Sequence, residues 1–555
     1  MHSVVYIKDP IIMHRNTFLG LRGTRLKVAM VLLVIAPSFI LFGYNNGSTG
    51  GIATLHSFVH VRLALSKPMF KNMLTLSKQF PALDTVTTTG AQAKYNARIK
   101  GVVTGSYDLG AVFGSLMCIA YSDRIGRLRT TLIGLILSIV GLALQSSAFS
   151  LAQFIIGRLI IGGGIGTIST AIPVWQSECS ATAHRGAFVL LEGLCISSGI
   201  TLSEWVAFGL SFTSSGAAQW RAPLIFPVIF SLFVIPFIFY MPESPRWLAK
   251  KGQVQEARRV LSVLLDEDEY SPVVNKEMSE IEISLSLVTG KLSELARNGE
   301  ERVLHRTLLA ACGQMFQQMC GISALVFYTS SIFEDLGFVG FKARILGACL
   351  TNFQTFAAII PLFLIDRLGR RKLFMITGAG LAICTAVLAG TGAKTQGSAA
   401  NTVAVVFVFM FDLFFPMGFL GQTFLYASEV APLRHRVPIT ALANATQWLC
   451  QFVVAQVTPP GTANLGSHYW IIYAVLNASF VPIVYFFFPE TNGRSLEEMD
   501  LIFEGSKGIF DVVRVAREMP RQEDESTRSA ELSAEAGSVK CKETAVEDKV
   551  AEAKV

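Results

Sequence analysis

Ionisable and amide side chains inside otherwise apolar runs are the residues of this chain that could do chemistry. Arg158 opens the run GRLIIGGGIGTISTAIPVWQSE, which ends on Glu178. A segment this long and apolar is a candidate membrane span, where an ionisable group marks function. Arg158 therefore needs a partner or a water-filled cavity. Gly162, Gly163, Gly164 and Gly166 would let a neighbouring helix approach closely. Glu192, within AFVLLEGLCISSGI, is a carboxylate in mid-span, and without a facing base such a group favours its neutral form. That makes it a candidate proton carrier, with Arg158 as the candidate base. Pairing would lower the cost of both charges, and protonating Glu192 would release Arg158. The alternatives are that Glu192 stays ionised as a hydrogen-bond acceptor or forms a structural ion pair facing water. Glu204 and Asp412 lie nearer the ends of their runs and are weaker carriers. Gln314 and Gln318 are spaced i, i+4 with Gln317 one position before, so three amides cover a shared face of one helix.

The elements that must position these groups follow from composition. Of 555 residues, 51% are hydrophobic and only 16% charged, and mean hydropathy is +0.48. An ordinary soluble protein of this size is excluded, and a polytopic all-α membrane protein is the expected class. The net charge of +7 comes from short Lys and Arg clusters between apolar runs, which topology explains better than a nucleic-acid partner. Nine cysteines occur without a CxxC pair, so neither a disulfide framework nor a metal site is implied. No nucleophile and base arrangement or phosphate loop supports an enzyme, and no cofactor is expected. The glycines after Arg158 lie inside a span rather than after a strand. The first 27 residues lack the order of a cleaved signal peptide.

Apolar segments fall near 28–50, 101–121, 130–149, 151–174, 187–210 and 222–241, then near 306–333, 342–365, 373–392, 402–427, 438–458 and 469–488. This divides the chain into a cytoplasmic N-terminus (1–27), a six-helix half (28–241), a polar linker (242–305), a second six-helix half (306–488) and a largely disordered cytoplasmic tail (489–555). Basic loop residues Arg124, Arg127 and Arg129, and Arg367, Arg370, Arg371 and Lys372, place those loops and both termini in the cytoplasm. One outer loop, with Arg62, Lys67, Lys71, Lys78, Lys94, Arg98 and Lys100, disagrees with the charge rule. The halves look like copies. Asp123-Arg-Ile-Gly-Arg127 recurs as Asp366-Arg-Leu-Gly-Arg370, Glu178 and Arg185 recur as Glu429 and Arg436, and Pro242-Glu-Ser-Pro-Arg246 is echoed by Pro489-Glu-Thr-Asn-Gly-Arg494. Three pairs in the same order at nearly one offset indicate a duplicated unit, as in secondary transporters. Asp123, Arg124, Arg127, Glu178, Arg185, Glu243 and Arg246, with Asp366, Arg367, Arg370, Glu429, Arg436 and Glu490, are read as a cytoplasmic latch holding the halves together. Each exposed pair is worth only about 0–1 kcal/mol, but a network biases a two-state equilibrium.

The set GRLIIGGGIG, PESPRWL, GQMFQQMCGISALVFYTSSIF, DRLGRRK and PETNGRSLEE resembles the sugar porter family of the major facilitator superfamily. The likeness runs from about Gly43 to Asp500, and SEVAPLRHR looks most like fungal members. It implies twelve transmembrane helices in two pseudo-symmetric six-helix bundles, a sugar site between them, and a helical cytoplasmic domain after the sixth span. The expected function is transport of a monosaccharide such as a hexose by a chain that works as a monomer in the plasma membrane.

The same resemblance assigns site residues. The paired amides that contact sugar hydroxyls match Gln317 and Gln318. Ser323 stands where the family carries Asn, which should enlarge that end of the pocket. Gln354, Gln447, Trp448 and Gln451 fall at polar and aromatic site positions, Phe424 at a gating tryptophan, and Glu192 at a sugar-binding glutamine. Trp448 is expected to stack on the sugar face, the alternative being that it simply packs as an aromatic. Where proton-coupled members carry Asp in FGYD, this chain has Asn45, an amide that cannot be protonated. Asn45 favours facilitated diffusion. Proton symport through Glu192, with the proton as co-substrate, and a sugar sensor on the same fold are the alternatives.

Overall fold

Inside a bilayer each backbone N–H and C=O must be satisfied within its own segment, so long apolar runs become helices. The computed structural model describes residues 17–53, 80–83, 90–179, 185–213, 218–286, 295, 297, 299, 301–338, 341–391, 398–432, 435–494 and 496–519. The basic loop positions Arg62, Lys67, Lys71 and Lys78 lie outside them, as does the side chain of Arg185. The first half comprises spans at Gly23–Met30 continuing through Val31–Ile35 to Ala36–Ala53, then Gly90–Ile125, Arg127–Ser146, Leu151–Cys179, Arg185–Leu210, and Ala218–Ile225 with Val228–Ile238. Three short helices follow, Pro245–Lys250, Val254–Leu265 and Pro272–Ser286. The second half comprises Val303–Met319 with Ile322–Asp335, Phe341–Ala357 with Ile360–Leu368, Arg370–Thr391, Ser398–Phe415 with Gln422–Val430, Arg436–Leu465 and Tyr469–Phe487. The seventh span breaks at Gly321, whose φ is +103°. The eleventh and twelfth are parted by the turn Gly466–His468, where the Thr458 and Tyr469 hydroxyls meet at 3.0 Å.

Each half has its own apolar core. One gathers Phe39, Leu135, Ile165 and Val234 with Val260 and Met278 from the short helices. The other gathers Phe316, Phe374, Phe411 and Phe480 with Met499, Ile502 and Phe503. Those last three residues correct the sequence reading of the tail. Helices Leu496–Glu504 and Asp511–Glu518 lie within the stretch expected to be largely disordered. Met499, Ile502 and Phe503 are spaced i, i+3, i+4, so one face is apolar and packs on the bundle. Arg306, wholly buried at the base of the seventh span, pairs with Asp500 and lies 4.3 Å from the centre of the Phe503 ring.

Between the second and fourth spans the backbones nearly touch. A Cβ on Gly162 would sit 1.9 Å from the Tyr107 carbonyl oxygen, whereas one on Gly163 meets nothing nearer than 3.8 Å. Gly162 therefore sets how close the second span comes to Arg158. Gly162→Ala should lower thermal stability by about 1–3 kcal/mol through overpacking, while Gly163→Ala changes it little. Thermal unfolding of the detergent-solubilised variants, followed by tryptophan fluorescence, measures the difference.

Candidate functional site

The charged loop motifs form two matching clusters. Arg127 donates to Asp123 at 2.9 Å and to Glu178 at 3.0 Å, and Arg370 donates to Asp366 at 3.3 Å and to Glu429 at 3.0 Å. Glu243 accepts the backbone N–H groups of Arg127 and Leu128 at 3.1 and 3.2 Å. Glu490 likewise accepts those of Arg370 and Arg371 at 2.8 and 3.2 Å. Each glutamate thus caps the exposed N-terminus of a span, where a negative charge is favoured. Burial pushes the Glu243 carboxyl above the ordinary glutamate range, although those N–H groups and Arg127 pull it down. Gly126 and Gly369, with φ of +100° and +83°, make room for the caps, since a Cβ at either would lie 2.5 Å from the glutamate oxygen. The copies extend to Trp175, which donates to the Pro242 carbonyl at 3.0 Å, and to Tyr426, which donates to the Pro489 carbonyl at 3.3 Å.

The latch expected to join the halves is corrected in one respect. The ion pairs of Arg127 and of Arg370 each stay within their own half, because each arginine reaches the carboxylates nearest its own helix start. Arg124 and Arg367 are exposed and Arg246 half-buried. Among the described residues, several hydrogen bonds between neutral groups cross between the halves. Asn444 donates to Ser169 at 3.1 Å and Thr170 at 2.7 Å, and Thr201 donates to the Thr351 carbonyl at 2.8 Å. Arg344 of the eighth span also acts electrostatically on Glu204 of the fifth.

Between the halves lies a cavity of about 440 Å³ whose lining includes Asn46, Gln317, Gln318, Ser323, Gln354, Gln447 and Gln451, with Phe42, Phe327 and Phe415. Its amides carry unused hydrogen-bonding capacity. Both amide atoms of Gln354 and the carbonyl oxygens of Gln317 and Gln447 are buried without a hydrogen-bond partner among the described residues. A buried polar atom left so is costly, and a ring of hydroxyls supplies both donors and acceptors. Gln317 is held by its Nε2, which donates to the Leu420 carbonyl at 3.1 Å. The Ser323 hydroxyl bonds to the Gln318 carbonyl oxygen, so Ser323 orients that amide as well as shortening the side chain at its position.

A second cavity of about 690 Å³ lies closer to the charged clusters, lined by Gln176, Gln314, Phe424, Arg436 and Asn444 among others. Gln314 and Phe424 therefore belong to a vestibule and not to the central pocket. Trp448 is corrected more sharply. It is wholly buried, with ring centres 5.0 Å from Phe42 and 5.7 Å from Tyr107, and it lines neither cavity. Its indole is taken up by those rings, so the aromatic walls of the central cavity are phenylalanines.

The pairing of Arg158 is also corrected. Arg158 donates to the Thr104 carbonyl at 3.1 Å, lies 5.6 Å from the centre of the Tyr107 ring, and feels the carboxylate of Asp108. Asp108 comes from the second span, within SYDLGAVFG, an acid in an apolar run that carried the same signal as Glu192. Asn45 turns its amide back to the Leu41 carbonyl of its own helix at 2.8 Å. Glu192 is buried with both oxygens lacking hydrogen-bond partners among the described residues. It sits one helical turn before Ile196, which lines the central cavity.

Two pseudo-symmetric six-span halves around a central polar cavity define a secondary carrier of the major facilitator type. The chain belongs to the family described as Sugar (and other) transporter, whose model matches residues 30–503. It is a sugar transporter and not an enzyme. It is 33% identical over 91% of its length to the sugar transporter STL1 of Saccharomyces cerevisiae, covering 86% of that protein. It is 32% identical over 93% of its length to the MFS-type transporter oryC of Aspergillus oryzae, covering 94% of that protein. Among solved structures, the xylose symporter XylE with bound 6-bromo-6-deoxy-D-glucose aligns with a TM-score of 0.70 at 20% identity, over 87% of this chain and 100% of that one. A partially occluded inward open form of XylE from E. coli aligns at 0.65 and 18% identity, over 84% and 100%.

Gln354→Leu removes two unpartnered amide atoms from the cavity. It should raise the KM for the transported sugar about 2- to 12-fold, the worth of one neutral hydrogen bond. Trp448→Phe should lower stability while leaving KM near wild type. Initial uptake rates against sugar concentration, beside melting curves, separate the two.

Proposed function

We propose that this transporter carries a monosaccharide, a hexose being the expected case, through the central cavity by alternating access. The observation behind this is that Gln317, Gln354 and Gln447, from three different spans, present unpartnered amide atoms to one cavity between the halves. The phenylalanines there suit the C–H face of a sugar ring, and the amides suit its hydroxyls. In this reading the halves rock about the cavity. The neutral cross-half bonds at Asn444 and at Thr201 are the ones broken and remade, while each charged cluster moves as a rigid cap with its own half. The proposal includes a single chain as the working unit, residence in the plasma membrane, and both termini in the cytoplasm. Gln314, Gln318, Ser323, Gln451, Phe424 and Glu192 are proposed to meet the sugar in the pocket or along its way in.

Purified protein in liposomes preloaded with unlabelled hexose should draw in labelled hexose by counterflow. Among pentose, disaccharide, polyol and quinate-like acid competitors, monosaccharides should compete most strongly. Counterflow of the acid alone, or of none of these compounds, would sink the reading.

A further inference from the structure

The vestibule of about 690 Å³ contains a buried amide with both polar atoms unpartnered among the described residues. Gln176, in the last turn of the fourth span, is 4% exposed. A buried amide with its bonds unmade is costly, and a polar group inside a membrane bundle marks a path or a site. The other half contributes Asn444 of the eleventh span. Its Nδ2 faces the hydroxyls of Ser115, Ser169 and Thr170 at 3.3, 3.1 and 2.7 Å. Each of those hydroxyls donates its own proton to the Gly166 carbonyl, at 3.1, 3.2 and 2.9 Å, so all three act as acceptors toward Asn444. That fixes the orientation of the asparagine amide and leaves its Oδ1 as an acceptor with no partner among the described residues. The vestibule thus offers a donor and two acceptors, beside Pro173 and Phe424, the combination of amide and flat apolar surface that suits a sugar.

The vestibule and the central cavity share no lining residue, yet two spans connect them. On the seventh, Gln314 lines the vestibule and Gln317 and Gln318 the central cavity; on the eleventh, Asn444 lines the vestibule and Gln447 and Gln451 the central cavity. Spacings of i, i+3, i+4 and of i, i+3, i+7 keep each set on one helix face, with successive turns about 5 Å apart. A polyhydroxylated guest can therefore pass from one cavity to the other by exchanging amide for amide.

We propose that the vestibule is a second sugar-binding station, on the side of the charged loop clusters, where the hydroxyls of a monosaccharide bond to Gln176 and to the Oδ1 of Asn444. The inference rests on the sugar-carriage reading above. Because the linings are separate, a saturated chain holds a sugar in each cavity. Because the station lies on one side of the central cavity, only sugar arriving from that face is held there first.

The test uses the full chain and labelled glucose. By equilibrium dialysis, wild type should bind about two glucose molecules per chain at saturation, and Gln176→Met, similar in length but apolar, about one. In sealed membrane vesicles of either orientation, Gln176→Met should raise KM and Vmax together, about 2- to 12-fold, for entry from the face bearing the charged clusters. Vmax/KM stays near wild type there, because the lost contact held the sugar only before the later step. Entry from the opposite face keeps both constants. One glucose per wild-type chain at saturation overturns the proposal, whether or not the variant folds. A folded Gln176→Met that still binds two overturns it, as does a fall of Vmax/KM from both faces, the mark of a merely structural role. Counterflow with a single bound glucose strikes only the station, whereas absence of counterflow in wild type removes the sugar-carriage reading and this proposal with it.

Discussion

Arg158 is a charge withdrawn from water in the middle of a helical bundle, and much of the N-terminal half is arranged to bear that cost. An unpaired buried ion costs several kcal/mol even after relaxation; a carbonyl and a ring meet this guanidinium directly, and the Asp108 carboxylate acts on it without a hydrogen bond to it. They come from little more than one turn of one helix, Thr104, Tyr107 and Asp108. That helix can serve because Gly162, with Gly110, Gly114 and Gly166, lets its backbone meet the fourth span without a side chain between them. Close packing and charge compensation are therefore one device here, as small residues and buried polar groups often are in membranes.

The charged loop clusters solve a different problem. Each half presents a helix start to the membrane surface, with orphan N–H groups and a partial positive charge. Glu243 and Glu490 satisfy these groups in the same way, and Arg127 and Arg370 bind the carboxylates around them. Because the bonds of Glu243, Glu490, Arg127 and Arg370 each stay inside one half, the clusters keep each half rigid, and neutral bonds such as those of Asn444 and Thr201 cross the boundary. A carrier that must alternate is served by that division, since breaking a hydroxyl to carbonyl bond costs about 1 kcal/mol and breaking a buried ion pair several.

The central cavity is built on the opposite principle, with polar atoms left unpaired. The cost of Gln354 having both amide atoms without partners among the described residues would be recovered if a polyhydroxylated guest filled the space. That is how a site can favour a sugar over an apolar molecule of the same size.

From residue order alone come the twelve apolar segments, the duplication, the family likeness and the amides of the seventh span, because hydropathy and repeated loop motifs are local properties. Residue order also shows that Arg158 needs a partner. It does not say which one, since Glu192 and Asp108 are both single acids in apolar runs and only the packing of the second span on the fourth puts one of them at the guanidinium. The same limit explains Trp448, whose position in a motif says nothing of whether its face meets the cavity or two other rings, and the tail, where a short amphipathic stretch becomes helix only by docking on a bundle. Partner choice is settled by distances between segments far apart in the chain, and those exist only once the chain has folded.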